Sequence, residues 1–193
     1  MSKTFIVLSN RLENNAVVGV EKDIRNELTR AAKEGIVFRE ITSVEHHEHL
    51  REYRRRKNLL MPPFHSDAPR TFWAVFSKSG SYLCSLGLFL HNQCFRIQAV
   101  SIDKNAPYFA FSWLLYNCLQ QSAKNGFRGL DLAGLGSWKE KWAPALEEDG
   151  FKQSPSRFGG KITPILARIY WFTEQKVDPI SRRVHRLLVR RFG

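Results

Sequence analysis

The sequence predicts an α/β domain in which helices flank a central mixed, largely antiparallel sheet. One observation is a set of three β-rich runs, 71–78, 82–90 and 94–102, joined by the short turns Ser79-Gly80 and His91-Asn92-Gln93, which is typical of an antiparallel meander. The other is a long apolar helix predicted over 107–125, which ends at Gly126 and leads into a short buried strand over 127–132. Glycines and lysines follow that strand, and such strand ends bind anions in many α/β proteins.

The remaining elements follow the same periodicity rules. A strand over 4–9 and a helix over 21–33 are expected as an extension (1–35) on the edge of the sheet. A strand over 36–42 precedes a helix over 43–60, for which Thr42 and Glu45 form a capping-box pattern. A helix from about 137 to 149 and strands over 151–153 and 162–172 complete a main domain spanning 36–173. Residues 174–193 form a basic tail with apolar residues at helical spacing.

The charge balance favours a polyanionic partner. Thirty lysines and arginines against eighteen acidic residues give a net charge of +12. The tail helix suits either RNA or a membrane surface, or it docks on the sheet with a solvated outer face. The longest apolar run, 108–119, is shorter than the roughly 18 residues of a membrane span, and no signal peptide is recognised. We therefore expect a cytoplasmic protein whose membrane contact, if any, is peripheral and on the inner face.

Neither the cysteines nor the histidines are spaced in a way that predicts a metal site. The three cysteines, Cys84, Cys94 and Cys118, lack metal-ligand spacing and are expected as reduced core residues. His46 and His49 lie three residues apart on the helix over 43–60, but no third ligand accompanies them, so they are expected in a solvated helix start. On the same helix, Arg51 and Arg55 are either phosphate contacts or part of a solvated face.

The order of elements resembles the GNAT (N-acetyltransferase-like) fold. The run Ala145-Leu146-Glu147-Glu148-Asp149-Gly150-Phe151-Lys152 is also similar to the helix-to-strand passage near the end of that fold. The resemblance implies a single acyltransferase domain. Acetyl-CoA enzymes of the superfamily use a glycine-rich loop to approach the CoA pyrophosphate, whereas the matching loop here, 103–107, has no glycine and ends in Pro107, which lacks an N–H. CoA is therefore disfavoured as the acyl donor.

A second resemblance is to transferases that take an amino acid from aminoacyl-tRNA, namely the Fem-type peptidoglycan bridge enzymes and the catalytic domain of lysylphosphatidylglycerol synthases. The Fem-type pattern is matched by Pro107, Trp113, Gly126 and the run Asp131-Leu132-Ala133-Gly134. The Phe-Lys-x-Lys-Phe-x-Pro pattern of the lipid-modifying group is matched, with tryptophan for phenylalanine, by the run Trp138-Lys139-Glu140-Lys141-Trp142-Ala143-Pro144. The resemblance implies transfer of an amino acid from aminoacyl-tRNA to an amine or hydroxyl, with no cofactor besides the charged tRNA.

Site residues follow from that resemblance. Lys139 and Lys141 would stabilise charge on the ester carbonyl, the leaving ribose oxygen or the terminal phosphate, and Asp131 would orient an amino group or accept a proton. Ser101 and Asp103, expected beside Asp131, would bind the acceptor. Contacts to the donor and its tRNA would come from a larger set: Lys104, Asn105, Trp138, Trp142, Arg51, Arg55, Arg157, Arg182, Arg183 and Arg186.

Each of these roles has a structural alternative. The lysines would be solvated, Asp131 would cap a turn, and the tryptophans would pack in the core. At the level of function, the alternatives are an acyl-CoA-dependent N-acyltransferase of the same superfamily and a non-catalytic module that binds RNA or membrane. The sequence leaves open the amino acid, and it leaves open whether the acceptor is a lipid head group, a peptide or a small molecule.

Overall fold

The computed structural model describes residues 4–13, 16–61, 70–132, 141–142, 146–149 and 171. Its helices are α1 (Lys22–Glu34), α2 (Ser43–Arg56) and α3 (Phe109–Lys124). Its strands, in chain order, are β1 (Thr4–Leu8), β2 (Leu12–Glu13), β3 (Ala16–Val17), β4 (Val37–Glu40), β5 (Arg70–Phe76), β6 (Tyr82–His91), β7 (Cys94–Ile102), β8 (Gly129–Asp131) and β9 (Leu146–Asp149).

Seven of the strands form one sheet in the order β4-β5-β6-β7-β8-β1-β9, and β2 pairs with β3 in a separate hairpin. Strands β5, β6 and β7 form the predicted antiparallel meander. Within the sheet, β7 and β8 are parallel because α3 connects them as a crossover helix, and the other pairs are antiparallel. The predicted class, a mixed and largely antiparallel sheet flanked by helices, is confirmed.

Helices cover both faces of the sheet. Because successive residues of a strand point to opposite faces, Trp73 of β5 packs with α1 and α3 in the main core, while its neighbour Phe72 lies against α2. The main core contains Ile24 of α1 and Leu114 of α3. On the other face, α2 buries Leu50 and His46. The predicted reduced core cysteines are confirmed, since all three are buried free thiols.

The sequence predicted the first strand at the edge of the sheet, but the structure places this strand inside the sheet. Strand β1 pairs with β8 through Ile6 and Asp131, and with β9 through Ile6 and Glu147. Its buried side chains Ile6 and Val7 explain the position, because an apolar strand of this kind is stabilised by neighbours on both sides. The expectation of an edge strand was therefore wrong.

The predicted helix from about 137 to 149 is also wrong over its last turn, because Leu146–Asp149 is the strand β9. Leucine and glutamate are good helix formers, but intrinsic preferences of this kind are worth only about a few tenths of a kcal/mol per residue, and pairing with β1 overrides them. This also corrects the helix-to-strand passage expected in 145–152. Trp171, in the last predicted strand, is helical. The predicted strand over 151–153 and the tail 174–193 lie outside the described residues. Among the described helices, none is long and apolar enough to cross a membrane.

Candidate functional site

A polar pocket opens where the second half of α2 lies over the end of β7 and the start of β6. Its empty volume is about 170 Å³ together with its open mouth. The residues that line it are His49, Glu52, Tyr53, Arg56, Tyr82, Ser101, Ile102 and Asp103. Two of them, Ser101 and Asp103, are residues that the sequence predicted to bind the acceptor. Five others are ionisable, so the pocket concentrates polar chemistry on one side of the sheet.

Helix α2 is positioned by its predicted capping box, which the structure confirms. The Glu45 amide donates to the Thr42 hydroxyl (3.2 Å), and the Thr42 amide donates to the Glu45 carboxylate (2.8 Å). These hydrogen bonds, that of the Thr42 backbone first, lower the pKa of Glu45. At the other end of the helix, the Arg56 guanidinium donates to the Ile102 carbonyl. Both ends of α2 are thereby fixed over the strands that form the pocket.

A buried chain of hydrogen bonds lies beneath the pocket. His46 Nδ1 is 2.9 Å from Ser85 Oγ, Ser85 Oγ is 2.9 Å from Tyr82 Oη, and Tyr82 Oη donates to the Ser101 carbonyl at 3.2 Å. Because Tyr82 gives its only proton to Ser101, Ser85 must donate to Tyr82, and His46 Nδ1–H must donate to Ser85. This assignment from hydrogen-bond partners makes His46 the neutral Nδ1–H tautomer.

His46 was expected in a solvated helix start, but it has no exposed surface. Burial, and after it the charges of His47 and His49, lowers the pKa of His46 to about 3. Its Nε2 atom faces Gly87, where a Cβ atom would lie only 3.1 Å away. The lone pair at Nε2 therefore faces the Cα–H group of Gly87, and a residue with a Cβ atom at position 87 would crowd the imidazole. His46 is a structural residue that anchors the chain of hydrogen bonds.

His49 and Ser101 give the pocket its reactive character. The His49 imidazole stacks flat on the Tyr82 ring, with centroids 3.5 Å apart and planes 3° apart. Partial burial lowers the pKa of His49, against the opposing effect of nearby carboxylates. Ser101 is fully buried, and its Oγ atom has no hydrogen-bond partner among the described residues. A neutral imidazole and an unused hydroxyl therefore occur together at the pocket.

The loop after β7 is closed on itself. The amide of Asn105 donates to Asp103 Oδ1 (2.8 Å), and the amide of Ala106 donates to the Asp103 carbonyl (3.2 Å). This is a turn stabilised by an aspartate side chain. Two of the amides that would face a pyrophosphate are thus already used, and Pro107 has none. Lys104 and Asn105 are exposed on this loop.

Asp131 was expected beside Ser101 and Asp103, but the structure places it elsewhere. In the parallel pairing of β7 and β8 its neighbour is Arg96. The two side chains form a buried ion pair, with Arg96 Nη1 3.3 Å from Asp131 Oδ2 and exposures of 5% and 2%. Five residues along β7 separate Arg96 from Ser101, which corresponds to about 16 Å. Asp131 is therefore placed as an ion-pair partner within the sheet and not at the pocket.

The other predicted site residues are spread over the molecule. Trp142 is 1% exposed and packs in the main core, which corrects its expected role as a stacking surface for adenine. The backbone carbonyl of Lys141 accepts a hydrogen bond from Glu21 at the start of α1 (3.2 Å), and Lys141 does not line the pocket. Arg51 and Arg55 lie on the exposed side of α2. The remaining predicted residues lie outside the described residues: Trp138, Lys139, Arg157, Arg182, Arg183 and Arg186.

Several pocket residues were missed by the sequence reasoning. These are Glu52, Tyr53, Arg56 and Tyr82, while His49 was noted only as part of a solvated helix start. A usable signal was present, because Leu50 is the aliphatic residue in the middle of α2 and must face the sheet. Tyr53 follows it by three residues, and His49 precedes it directly. No cluster of three or more potential metal ligands occurs among the described residues.

Comparison with known proteins places the fold. No protein-family model matches the sequence, and no curated protein matches it. One similar structure is the C-terminal domain (DUF2156) of a protein from Agrobacterium fabrum provisionally assigned as a lysylphosphatidylglycerol synthetase, with a TM-score of 0.59 and 15% identity over 76% of this chain. Another is L-PGS from Bacillus licheniformis, with a TM-score of 0.58 and 15% identity over 86% of this chain. The match spans 58% and 64% of those two chains, respectively. The chain therefore has a single GNAT-like fold of the kind seen in these domains.

Proposed function

We propose that this protein is an aminoacyltransferase that moves an amino acid from aminoacyl-tRNA to an amine or hydroxyl acceptor. The observation that carries the proposal is the loop after β7, whose amides at Asn105 and Ala106 are engaged by Asp103. A loop closed in this way is a poor cradle for the pyrophosphate of CoA. The fold likeness to domains of lysylphosphatidylglycerol synthetases supports a donor other than CoA.

The reaction would be attack of the acceptor on the ester that joins the amino acid to the terminal ribose. Negative charge develops on the carbonyl oxygen and then on the leaving ribose oxygen, and fixed cations stabilise both. By its motif, Lys139 is proposed for this role, and Lys141, which does not line the pocket, is proposed to contact the terminal phosphate. Trp138 is proposed to stack on the terminal adenine, since Trp142 is committed to the core.

The tRNA backbone would be held by exposed basic residues. Arg51 and Arg55 lie one turn apart on the outer side of α2, and Lys104 lies on the loop after β7. The arginines of the tail and Arg157 would extend this surface. Each phosphate contact releases a counterion, so affinity for tRNA should fall steeply with salt. The tail would also provide a peripheral membrane contact if the acceptor is a lipid head group.

The test is transfer from a pool of radiolabelled aminoacyl-tRNAs with lipid vesicles, peptides and small amines or alcohols as acceptors. We expect faster loss of label from one charged tRNA and a labelled product. Lys139→Ala should slow this at least 100-fold, whereas Lys124→Ala, at the far end of α3, should not. If no charged tRNA is consumed, and acetyl-CoA instead acylates an acceptor, the proposal fails in favour of CoA.

A binding experiment tests the tRNA surface separately. Arg51→Ala with Arg55→Ala should weaken tRNA binding and lower the slope of log K against log salt by up to about two. The matched control is Arg25→Ala on the exposed side of α1, which should leave the slope unchanged. An unchanged slope in the α2 variant would exclude this helix from the tRNA surface.

A further inference from the structure

We propose that the α2–β7 pocket binds the acceptor, that the acceptor is a primary amine, and that His49 takes the proton from this amine as it attacks. This inference rests on the proposed function and names its substrate class. It begins from the charges of the pocket, in which the carboxylates Glu52 and Asp103 face one guanidinium, Arg56. A locally acidic pocket in a chain of net charge +12 is suited to an ammonium group and poorly suited to a phosphate.

The hydrogen-bonding capacity of the pocket points the same way. Arg56 is held by the Ile102 carbonyl and lies over the Tyr53 ring, with the guanidinium carbon 5.7 Å from the ring centroid. Asp103 keeps its carboxylate at the pocket while one oxygen closes the turn with Asn105. Ser101 Oγ lies beneath the surface of the pocket, fully buried and without a hydrogen-bond partner among the described residues.

His49 is the group at the pocket that we assign to take the proton, because it is the imidazole among the lining residues. It is half-buried, stacked on Tyr82 and held in place by that contact. The groups around it are Glu45, Glu48 and Glu52 of its own helix, Asp103 of the loop, and Tyr82 of β6. Burial outweighs the carboxylates and lowers the pKa of His49, so the imidazole is neutral at pH 7 and can act as a base.

The step balances without a further reactant. The bound ammonium group first loses one proton to solvent. The neutral amine nitrogen then attacks the ester carbonyl carbon and forms the C–N bond of an amide, while a ring nitrogen of His49 takes the second proton from this nitrogen. The C–O bond to the terminal ribose breaks, and the ribose oxygen leaves with a proton returned from the imidazolium or from solvent. His49 then returns to its neutral form. A tyrosine at the back of the ring and carboxylates at the mouth would keep the amine aligned with the imidazole.

Matched acceptors test the substrate class. Ethanolamine and glycerol are compared as soluble acceptors, and phosphatidylethanolamine and phosphatidylglycerol vesicles as lipid acceptors, with charged tRNA as donor. We expect product from the ethanolamine compounds, and we expect it to resist mild alkali because it is an amide. The two arms distinguish a soluble amine from a lipid head group. Product from the glycerol compounds alone, or an alkali-labile ester, would overturn the inference and leave the proposed function intact. The absence of product from every acceptor would overturn the inference. If charged tRNA is also not consumed, the proposed function is overturned as well.

Variants test the roles of the residues. His49→Gln should lower kcat about 100-fold or more and remove the acid limb of the pH profile of kcat/KM, which in the unmodified protein should lie below pH 6.5. His47→Gln, two residues away on α2, is the matched control. Added imidazole should partly restore His49→Ala, which a merely structural role would not allow.

The carboxylate is tested by KM. Glu52→Gln should raise KM for the amine about 10-fold with little change in kcat, whereas Glu34→Gln, at the exposed end of α1 and outside the pocket, should change neither. An unchanged pH limb in His49→Gln, or equal effects of the two glutamate variants, would contradict the assignment.

Discussion

The buried pair Arg96–Asp131 allows the two roles considered for Asp131 to be separated. Both side chains are almost fully buried, and their charged atoms are 3.3 Å apart. Asp131→Asn leaves the Arg96 charge buried without its counterion, and such a change typically costs about 3–5 kcal/mol. For a chain of this length, each kcal/mol lowers Tm by about 2–4 °C, so a fall of about 6–20 °C is expected.

The assay is thermal and urea unfolding followed by circular dichroism, with a double-mutant cycle. Arg96→Met alone should destabilise to a similar extent, because it leaves the carboxylate buried without the Arg96 charge. The combination of Arg96→Met with Asp131→Leu should recover most of the loss, because an apolar pair replaces the ion pair. If Asp131→Asn instead retains its Tm within about 2 °C and abolishes transfer, then Asp131 acts in the reaction and the structural assignment is refuted.

Three further predictions concern the hydrogen-bonded chain under the pocket. The pKa of His46 is about 3 in the folded protein against an ordinary value of 6.5, so between these pH values the unfolded chain binds more protons than the folded one. The free energy of unfolding should therefore fall by about 1.4 kcal/mol per pH unit from pH 6.5 towards pH 3. His46→Gln should flatten this part of the dependence of the free energy of unfolding on pH, measured by urea unfolding. Gly87→Ala places a Cβ atom 3.1 Å from His46 Nε2 and 3.3 Å from Phe72, and should cost about 1–3 kcal/mol by urea unfolding, an effect that would be absent if the site could relax. Ser85→Ala leaves His46 and Tyr82 without their shared partner and should cost about 1–3 kcal/mol, whereas a neutral result would contradict the chain of donors.

Local signals in the sequence predicted those parts of the fold that depend on neighbouring residues. The meander followed from short turns between β-rich runs, and the start of α2 followed from Thr42 and Glu45, which bond to each other in the structure. The position of β1 could not be predicted in this way. Its partners, β8 and β9, are distant in sequence, and an apolar strand carries no information about which strands it will pair with.

The candidate site was likewise predicted only in those parts that depend on residues close in sequence. The end of β7 was found from sequence, because Ser101 and Asp103 follow a clear strand. The pocket itself depends on the rotation of α2, which brings His49 over Tyr82 across a gap of more than thirty residues. Asp131 was assigned from its place at the end of a strand, but the register of β7 against β8 gives it Arg96 as a partner. Register is a tertiary property, and one residue of slip would have changed the assignment.

The position of β1 between β8 and β9 has a consequence for how the chain folds during synthesis. Ile6 pairs with Asp131 and Glu147, so strand β1 has to wait until these residues have left the ribosome. At about 5–20 residues per second, this delay is on the order of ten seconds. During that time an apolar strand has neither of its neighbours, while the meander β5–β7 can already assemble from contacts close in sequence. The closure of β8 and β9 around β1 is therefore a late step in the folding of the nascent chain.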